Sequence, residues 1–222
     1  MSSETLHLVL VAGGSSRRFG SKDKLLADLN GAPVFVHSLR RLTPAVTGKC
    51  VVVVPRGRVF EFQDIALPFT RDLDLIWCEG GNSRSESVRN GINALGKAEG
   101  LVAVHDGARP LANAALLKSL WEAAKVSGAA LPGKNVADTL WKSDGNLLDS
   151  TVDREGLFAV ETPQVFNIEL WRKARELFPE ADLTDDAGLL RKAGFPVTLV
   201  INSEPNFKLT TPADLTLLRA LI

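Results

Sequence analysis

No apolar run in the sequence is long enough to cross a bilayer. The longest uninterrupted stretches, such as Leu8 to Ala12 and Val51 to Val54, fall far short of the roughly 20 residues a membrane helix needs. Ahead of the first apolar run stand only Met1-Ser2-Ser3-Glu4-Thr5, without a basic segment, apolar core or small-residue cleavage site. That reads as a cytoplasmic protein without a secretory leader. Charge of one sign is equally lacking: 26 Lys and Arg face 26 Asp and Glu, with a pI near 6.8. The balance removes the global electrostatic footprint of a nucleic-acid or membrane-surface binder, so any anion site must be local. Cysteine is scarce; Cys50 and Cys78 sit at the margins of apolar runs without C-x-x-C spacing and read as buried thiols. No G-x-S-x-G, H-E-x-x-H or paired Cys/His spacing supports a serine hydrolase or a zinc enzyme.

What is present suits one globular domain: 222 residues, 45% hydrophobic, 23% charged, with a mean hydropathy of +0.06. Fully apolar runs recur with helix-like stretches between them, the pattern of an α/β fold whose parallel strands are buried on both faces. Strands are expected at Leu6–Ala12, Cys50–Val54, Leu73–Cys78, Leu101–His105, within 128–135 ending at Pro132-Gly133, and at Val197–Ile201. Helices are expected at Val34–Leu42, Ser83–Leu95, Ala112–Ser127, Ile168–Leu177 and Thr184–Ala193, with a last one started by Thr211-Pro212. Between Val136 and Val160 the rhythm breaks. Thr139-Leu-Trp141, a turn at Ser143-Asp-Gly-Asn146 and Leu147–Val152 read as a β-hairpin. A projecting hairpin carrying Trp141 and alternating apolar residues needs a cover, either a dimer partner or its own domain.

The first strand empties into Ala12-Gly13-Gly14-Ser15-Ser16-Arg17-Arg18-Phe19-Gly20-Ser21-Lys22-Asp23-Lys24. Glycines let a backbone approach an anion, hydroxyls add donors, and Arg and Lys supply the balancing charge, so the segment reads as a phosphate cradle or a plain glycine turn. It is neither of the commoner phosphate loops: Gly14 to Gly20 has one residue too many for a Walker loop, and G-x-G-x-x-G is absent. A helix N-terminus offers only about half a charge. A triphosphate therefore also needs side-chain cations and a metal.

His105-Asp106-Gly107-Ala108-Arg109-Pro110 ends the fourth strand, where open α/β sheets hold ligands. Asp106 suits Mg²⁺ against phosphate oxygens, or a simple turn before Pro110; His105 reads as a hydrogen-bonded structural histidine. Gly80-Gly81-Asn82-Ser83-Arg84-Ser85-Glu86-Ser87 opens a helix after the third strand. The glycine pair can admit a flat base and Ser87 can bond its edge, although a cap by Asn82 or Ser83 accounts for the same residues. Thr151-Val152-Asp153-Arg154, Thr184-Asp185-Asp186 and Asn206-Phe207-Lys208-Leu209-Thr210-Thr211 are polar beyond what packing needs.

Taken together these segments resemble the nucleotidyltransferases that join a polyol phosphate to an NTP, and specifically the 2-C-methyl-D-erythritol 4-phosphate (MEP) cytidylyltransferase family. The carriers stand in family order along nearly the whole chain: AGGSSRRFG…DKLL at 12–26, EGGNSRSESV at 79–88, VHDGARP at 104–110, DTL at 138–140, TVDREGLF at 151–158, ETPQVF at 161–166, TDDAGLL at 184–190 and NFKLTTPADL at 206–215. The resemblance implies a Rossmann-like three-layer fold, one domain over 1–222, with an arm at about 137–159 that interlocks a homodimer. The implied reaction is transfer of CMP from CTP to MEP with release of pyrophosphate, using Mg²⁺, on the non-mevalonate isoprenoid pathway; nucleic acid and membrane have no part. Arg18 and Lys24 would stabilise the pentacoordinate phosphate, and Arg154 and Lys208 would position MEP, with Thr139, Arg109 and Thr184 around it. Ala12, Gly13, Gly14, Ser15, Ser16, Gly80, Gly81, Asn82, Ser87, Asp106 and Gly107 would hold the nucleotide, Asp106 next to Mg²⁺. Asn82, Gly107 and Asp23 replace the family's usual Asp, Ala and Pro, and Lys22 stands as a rival to Lys24. Ribitol 5-phosphate cytidylyltransferases share nearly every motif and differ in the polyol pocket, molybdopterin guanylyltransferases share the opening loop, and a nucleotide-binding domain without turnover is a third reading.

Overall fold

The computed structural model describes residues 5–13, 19, 23–179 and 185–222. In chain order the elements are β1 (Leu6–Val11), β2 (Asp28–Leu29), β3 (Ala32–Pro33), α1 (Val34–Leu42), β4 (Cys50–Val54), α2 (Val59–Thr70), β5 (Leu75–Glu79), α3 (Arg84–Ala94), β6 (Leu101–Asp106), α4 (Ala114–Ser127) and β7 (Ala129–Asn135). Then follow β8 (Leu140–Asp144), β9 (Leu147–Val152), β10 (Phe158–Val160), β11 (Gln164–Asn167), α5 (Ile168–Leu177), α6 (Asp186–Lys192), β12 (Thr198–Ile201) and α7 (Pro212–Leu221).

Every residue of β1 and β6 is buried, and four of the five in β4 are, which is why these strands read as continuous apolar runs. They form the parallel half of the main sheet, in the order β5-β4-β1-β6. Beyond β6 the sheet turns mixed: β11 runs antiparallel between β6 and β7, and β12 pairs parallel with β7. Because side chains alternate along a strand, Leu6, Leu8 and Leu10 of β1 enter one core, with Phe35 of α1, Phe62 of α2 and Leu117 of α4. Val9 and Val11 enter the other, with Val88 and Ile92 of α3, Trp171 of α5 and Leu189 of α6. The result is the expected three-layer α/β/α arrangement. Helix α3 lies so close to the sheet that a Cβ on Gly91 would stand 2.5 Å from Val9 Cγ1. That contact fixes where the N-terminus of α3 falls, beside the carboxyl ends of β1 and β6.

The hairpin β8–β9 pairs only with itself among the described residues, in a two-stranded sheet of its own. Trp141 is 49% exposed and Leu147 77%. Packing on its own domain, one of the two expectations, therefore does not cover it. The hairpin spans Leu140–Val152, close to the expected strands, and the chain rejoins the main sheet at β10, which pairs with β7 from Phe158. Strand β7 also runs on past Pro132-Gly133 to Asn135. There the Pro132 carbonyl accepts from Glu161 N at 2.9 Å, and β12 and β10 take opposite edges of β7 at Gly133.

Candidate active site

In this sheet β1 pairs with β4 on one side and β6 on the other, so the strand order reverses at β1. Open α/β sheets form their ligand crevice outside the carboxyl ends of the strands at such a point. Val11 and Asp106 are register partners there, each the last residue of its strand. A cleft of about 110 Å³ opens above them, lined by Val11, Gly13, Lys24, Leu25, Arg84, Asp106, Ala108 and Lys208.

Asp106 is its centre. One carboxylate oxygen accepts from Arg84 Nε at 3.1 Å and the other from Lys208 Nζ at 2.7 Å. Burial pushes this carboxyl up, but Arg84 and Lys208, with Arg109 behind them, outweigh burial and hold it well below the usual carboxylate range. Arg84 reaches on through Nη1 to Asp186 at the start of α6, 2.9 Å away. Asp186 has that one guanidinium where Asp106 has two cations, so for Asp186 burial wins and its carboxyl lies above the usual range.

His105 is fully buried, and burial lowers its pKa to about 4. Its Nε2 faces the Arg109 carbonyl at 3.0 Å, which can only accept, so this nitrogen carries the hydrogen. Nδ1 then accepts from the Thr162 hydroxyl at 3.0 Å, and that oxygen accepts from Asp106 N at 3.1 Å. The histidine is a neutral strut for the Asp106 backbone, in line with its structural reading from sequence.

The polar segments noted in the sequence mostly build and brace this cleft. Arg109 donates to the Asn206 carbonyl at 2.7 Å and Leu209 N to the Ala108 carbonyl at 2.8 Å, which binds the Lys208 segment to the turn after β6. Asn206 Nδ2 donates in turn to Glu161 Oε2 and to the Thr162 carbonyl, both at 2.9 Å. Gln164 Oε1 accepts from the backbone of Asp186 and Ala187, so the T-P-Q motif braces the T-D-D turn. Gly80 N donates to the Val54 carbonyl and Gly81 N to Ser87 Oγ, which itself donates to Ser83 O. Ser87 thus shapes the glycine loop, while Asn82 N is held by Glu86 Oε2 at 2.7 Å. Ser83 caps α3 through its bond from Glu86 N. At Gly107 a Cβ would stand 3.3 Å from the Val11 carbonyl oxygen and 3.5 Å from Phe35 Cβ, a tight fit beside Ala12.

Of the residues expected at the site, Gly13, Lys24, Asp106 and Lys208 meet in the cleft, and Arg109 stands behind them. Gly14, Ser15, Ser16, Arg18, Lys22 and Thr184 lie outside the described residues. Thr139 and Arg154 are on the exposed arm and are not among the described lining of the cleft; Arg154 donates to the Ala137 carbonyl at the arm's base. Arg84, Thr162 and Gln164 were not singled out from sequence. For Arg84 a signal existed: a cation at the first residue of a helix works against the macrodipole and needs another reason to be there.

A cleft that offers cations around one carboxylate, with its histidine walled off from solvent, suits phosphate charge better than proton transfer. At the switch point of an open, mostly parallel sheet, this chemistry suits an α/β nucleotidyltransferase. The family model for 2-C-methyl-D-erythritol 4-phosphate cytidylyltransferase (IspD) matches residues 6–222. A cytidylyltransferase of that name from Geobacillus thermodenitrificans is 36% identical over 219 residues, covering 97% of this chain and 95% of the relative. A bifunctional IspD/IspF enzyme from Granulibacter bethesdensis is 41% identical over 210 residues, and the chain spans 54% of its length. The crystal structure of the Thermus thermophilus MEP cytidylyltransferase superposes with a TM-score of 0.79 at 32% identity, covering 96% of this chain and 97% of that one. The chain belongs to the 2-C-methyl-D-erythritol 4-phosphate cytidylyltransferase family, and its activity is that of the family, on the non-mevalonate pathway.

Proposed function

We propose that the cleft at the ends of β1 and β6 is where a phosphate oxygen of MEP attacks the α-phosphorus of CTP. The new P–O bond joins the two phosphates, the bond from the α-phosphorus to the bridging oxygen breaks, and pyrophosphate leaves. The observation that carries this reading is the convergence of Lys24, Lys208 and Arg84 on one cleft with Asp106. No general base is required, because a phosphate monoester is already anionic near neutral pH. Catalysis then reduces to positioning and charge stabilisation.

In this reading Lys24, with Arg18, neutralises the charge that grows on the pentacoordinate phosphorus. Lys208 meets the phosphate of MEP, with Arg109 fixing its segment and Thr184 nearby. The backbone at Ala12, Gly13, Gly14, Ser15 and Ser16, with Gly80, Gly81, Asn82 and Gly107, holds the nucleotide, and Ser87 keeps the glycine loop in shape. Asp106 fits Mg²⁺: it is a single carboxylate at the cleft floor, and Mg²⁺ is ordinarily held by one or two carboxylates plus substrate phosphates and waters. Such an ion would draw charge from the nucleotide phosphates. The exposed apolar residues of the arm, Trp141, Leu147 and Leu148, support a homodimer in which the arm carries Arg154 and Thr139 to the partner's MEP site.

The test is pyrophosphate release with Mg²⁺, crossing CTP, GTP, UTP and ATP against MEP and ribitol 5-phosphate. Turnover confined to CTP with MEP is expected. Equal turnover with ribitol 5-phosphate contradicts the assigned polyol, and CTP binding without turnover on either contradicts catalysis.

A further inference from the structure

We propose that Arg58, at the N-cap of α2, is a positioning residue for the reaction: its guanidinium holds Asp23, and through Asp23 the backbone that presents Lys24 to the cleft. The inference rests on the role given to Lys24 above. Lys24 is bracketed by the contacts of its neighbour. Asp23 Oδ1 accepts from Leu25 N at 3.0 Å, the Asp23 carbonyl accepts from Leu26 N at 3.1 Å, and Asp23 Oδ2 accepts from Arg58 Nη1 at 2.6 Å. The first two contacts shape the turn at 23–26 from within. The third ties it to α2, while the Leu25 carbonyl accepts from Phe35 N of α1 at 3.2 Å.

An exposed ion pair contributes little, but this one is of another kind. The Asp23 side chain is 14% exposed and that of Arg58 32%. The guanidinium uses three nitrogens at once: Nε and Nη2 grip the two oxygens of Glu61 at 2.6 and 2.8 Å, and Nη1 reaches Asp23. Its Cζ lies over the ring of Phe62, 5.1 Å from the centroid, and Phe62 is fully buried in the core. A planar fork held at two edges and set over a core aromatic loses little freedom when it takes a third partner. One residue earlier, Gly57 N donates to Glu79 Oε1 at 2.9 Å, and Glu79 leads directly into Gly80. The loop between β4 and α2 is therefore a strut between the turn that carries Lys24 and the glycine loop assigned to the nucleotide.

The experiment is steady-state kinetics with CTP, MEP and Mg²⁺ on Arg58→Ala, Lys24→Ala and the double variant, with thermal melts to establish that each is folded. Arg58→Ala is expected to lower kcat by about 10- to 100-fold, the scale of a small misplacement of a catalytic group, with both KM values nearly unchanged. In the Lys24→Ala background the same substitution should cost nothing further, since it acts through the ammonium already removed. A residue that only stabilised the fold would lower the melting temperature and leave kcat per folded molecule intact. Wild-type kcat in Arg58→Ala beside a disabled Lys24→Ala overturns the proposal and leaves the role of Lys24 standing. Wild-type kcat in Lys24→Ala overturns the role of Lys24 and the proposal with it. If Arg58→Ala does not fold, Asp23→Asn, which keeps the shape and removes the charge, reads the same linkage: a loss of kcat that vanishes without Lys24 supports it, and an unchanged kcat overturns it.

Discussion

Replacing Arg84 by glutamine removes the one cation shared by two buried carboxylates. Asp106 keeps Lys208 at 2.7 Å, whereas Asp186, whose side chain is 3% exposed, loses its guanidinium at 2.9 Å. Breaking a buried pair by deleting one partner costs about 3–5 kcal/mol, because the remaining charge has neither water nor a counter-ion. At about 2–4 °C per kcal/mol for a chain of this size, the melting temperature at pH 7 should fall by about 6–20 °C. The sign of the pH dependence follows from the carboxyls. Asp186 lies above its ordinary pKa in the folded protein, so its contribution is present in acid and lost as pH rises through the folded value. Asp106 lies below its ordinary pKa, so its contribution is present at neutral pH and lost as pH falls. The Asp186 effect makes the deficit of the Arg84→Gln variant largest near neutrality and smaller toward pH 4, while that of Asp106 is lost only at more acid pH, below its ordinary pKa. Adding Asp186→Asn removes the stranded charge and should recover much of the loss. Scanning calorimetry on the wild type, Arg84→Gln and the double variant from pH 4 to pH 8 measures all of this. A fall of less than about 2 °C at pH 7, or a double variant no more stable than Arg84→Gln, refutes the reasoning.

Lys24→Ala should lose about 2.7–4 kcal/mol of transition-state stabilisation, the scale of deleting one preorganised donor, read as a 10²- to 10³-fold fall in kcat with CTP affinity by calorimetry little changed. Arg154→Ala and Lys208→Ala should mainly raise the KM for MEP in initial-rate assays; a selective loss of CTP binding contradicts that assignment. His105 is held neutral by burial, with its pKa lowered from 6.5 to about 4. Its contribution to stability is therefore present above its ordinary pKa and is lost as pH falls through the folded value; denaturant titrations of His105→Gln should show a flatter stability profile between those two pH values. Trp141→Ser with Leu148→Ser on the arm should shift sedimentation from dimer to monomer, and an unchanged dimer contradicts the interface.

The parallel half of the sheet was legible because its strands are buried on both faces, so that Leu6–Val11, Val51–Val54 and Leu101–His105 carry no polarity pattern to misread. The hairpin at Leu140–Val152 was legible for the opposite reason, since its turn chemistry at Asp144-Gly145 breaks the α/β rhythm. Helix α2 escaped notice: Pro68 lies inside it, and its apolar residues are spread too evenly to show one face. Strands β10 and β11 are three and four residues long and border Pro163, too short for any period to emerge. At the site, Lys24, Asp106 and Lys208 were legible through the family motifs that contain them. Arg84 was not, because the residues around it also make an ordinary helix cap, and its partners lie 22 and 102 positions along the chain. Its one local signal, a cation at the first position of a helix, marks the residue as unusual without naming its distant partners.

That distance bears on when the cleft comes into being. Lys208 and Asp106 are 102 residues apart, as are Arg84 and Asp186, and Asn206 is 97 from Arg109. Contacts of such separation form only after the intervening chain has been closed into a loop, at an entropic cost that local contacts do not meet. A growing polypeptide therefore has no site until the segment carrying Lys208 has docked on a completed sheet. Catalytic competence is then a report on the whole fold. By mass action, a ligand that joins these segments stabilises the entire native state, and its protection should reach the amides of β1 and β6 in the middle of the sheet as well as the loops that touch it.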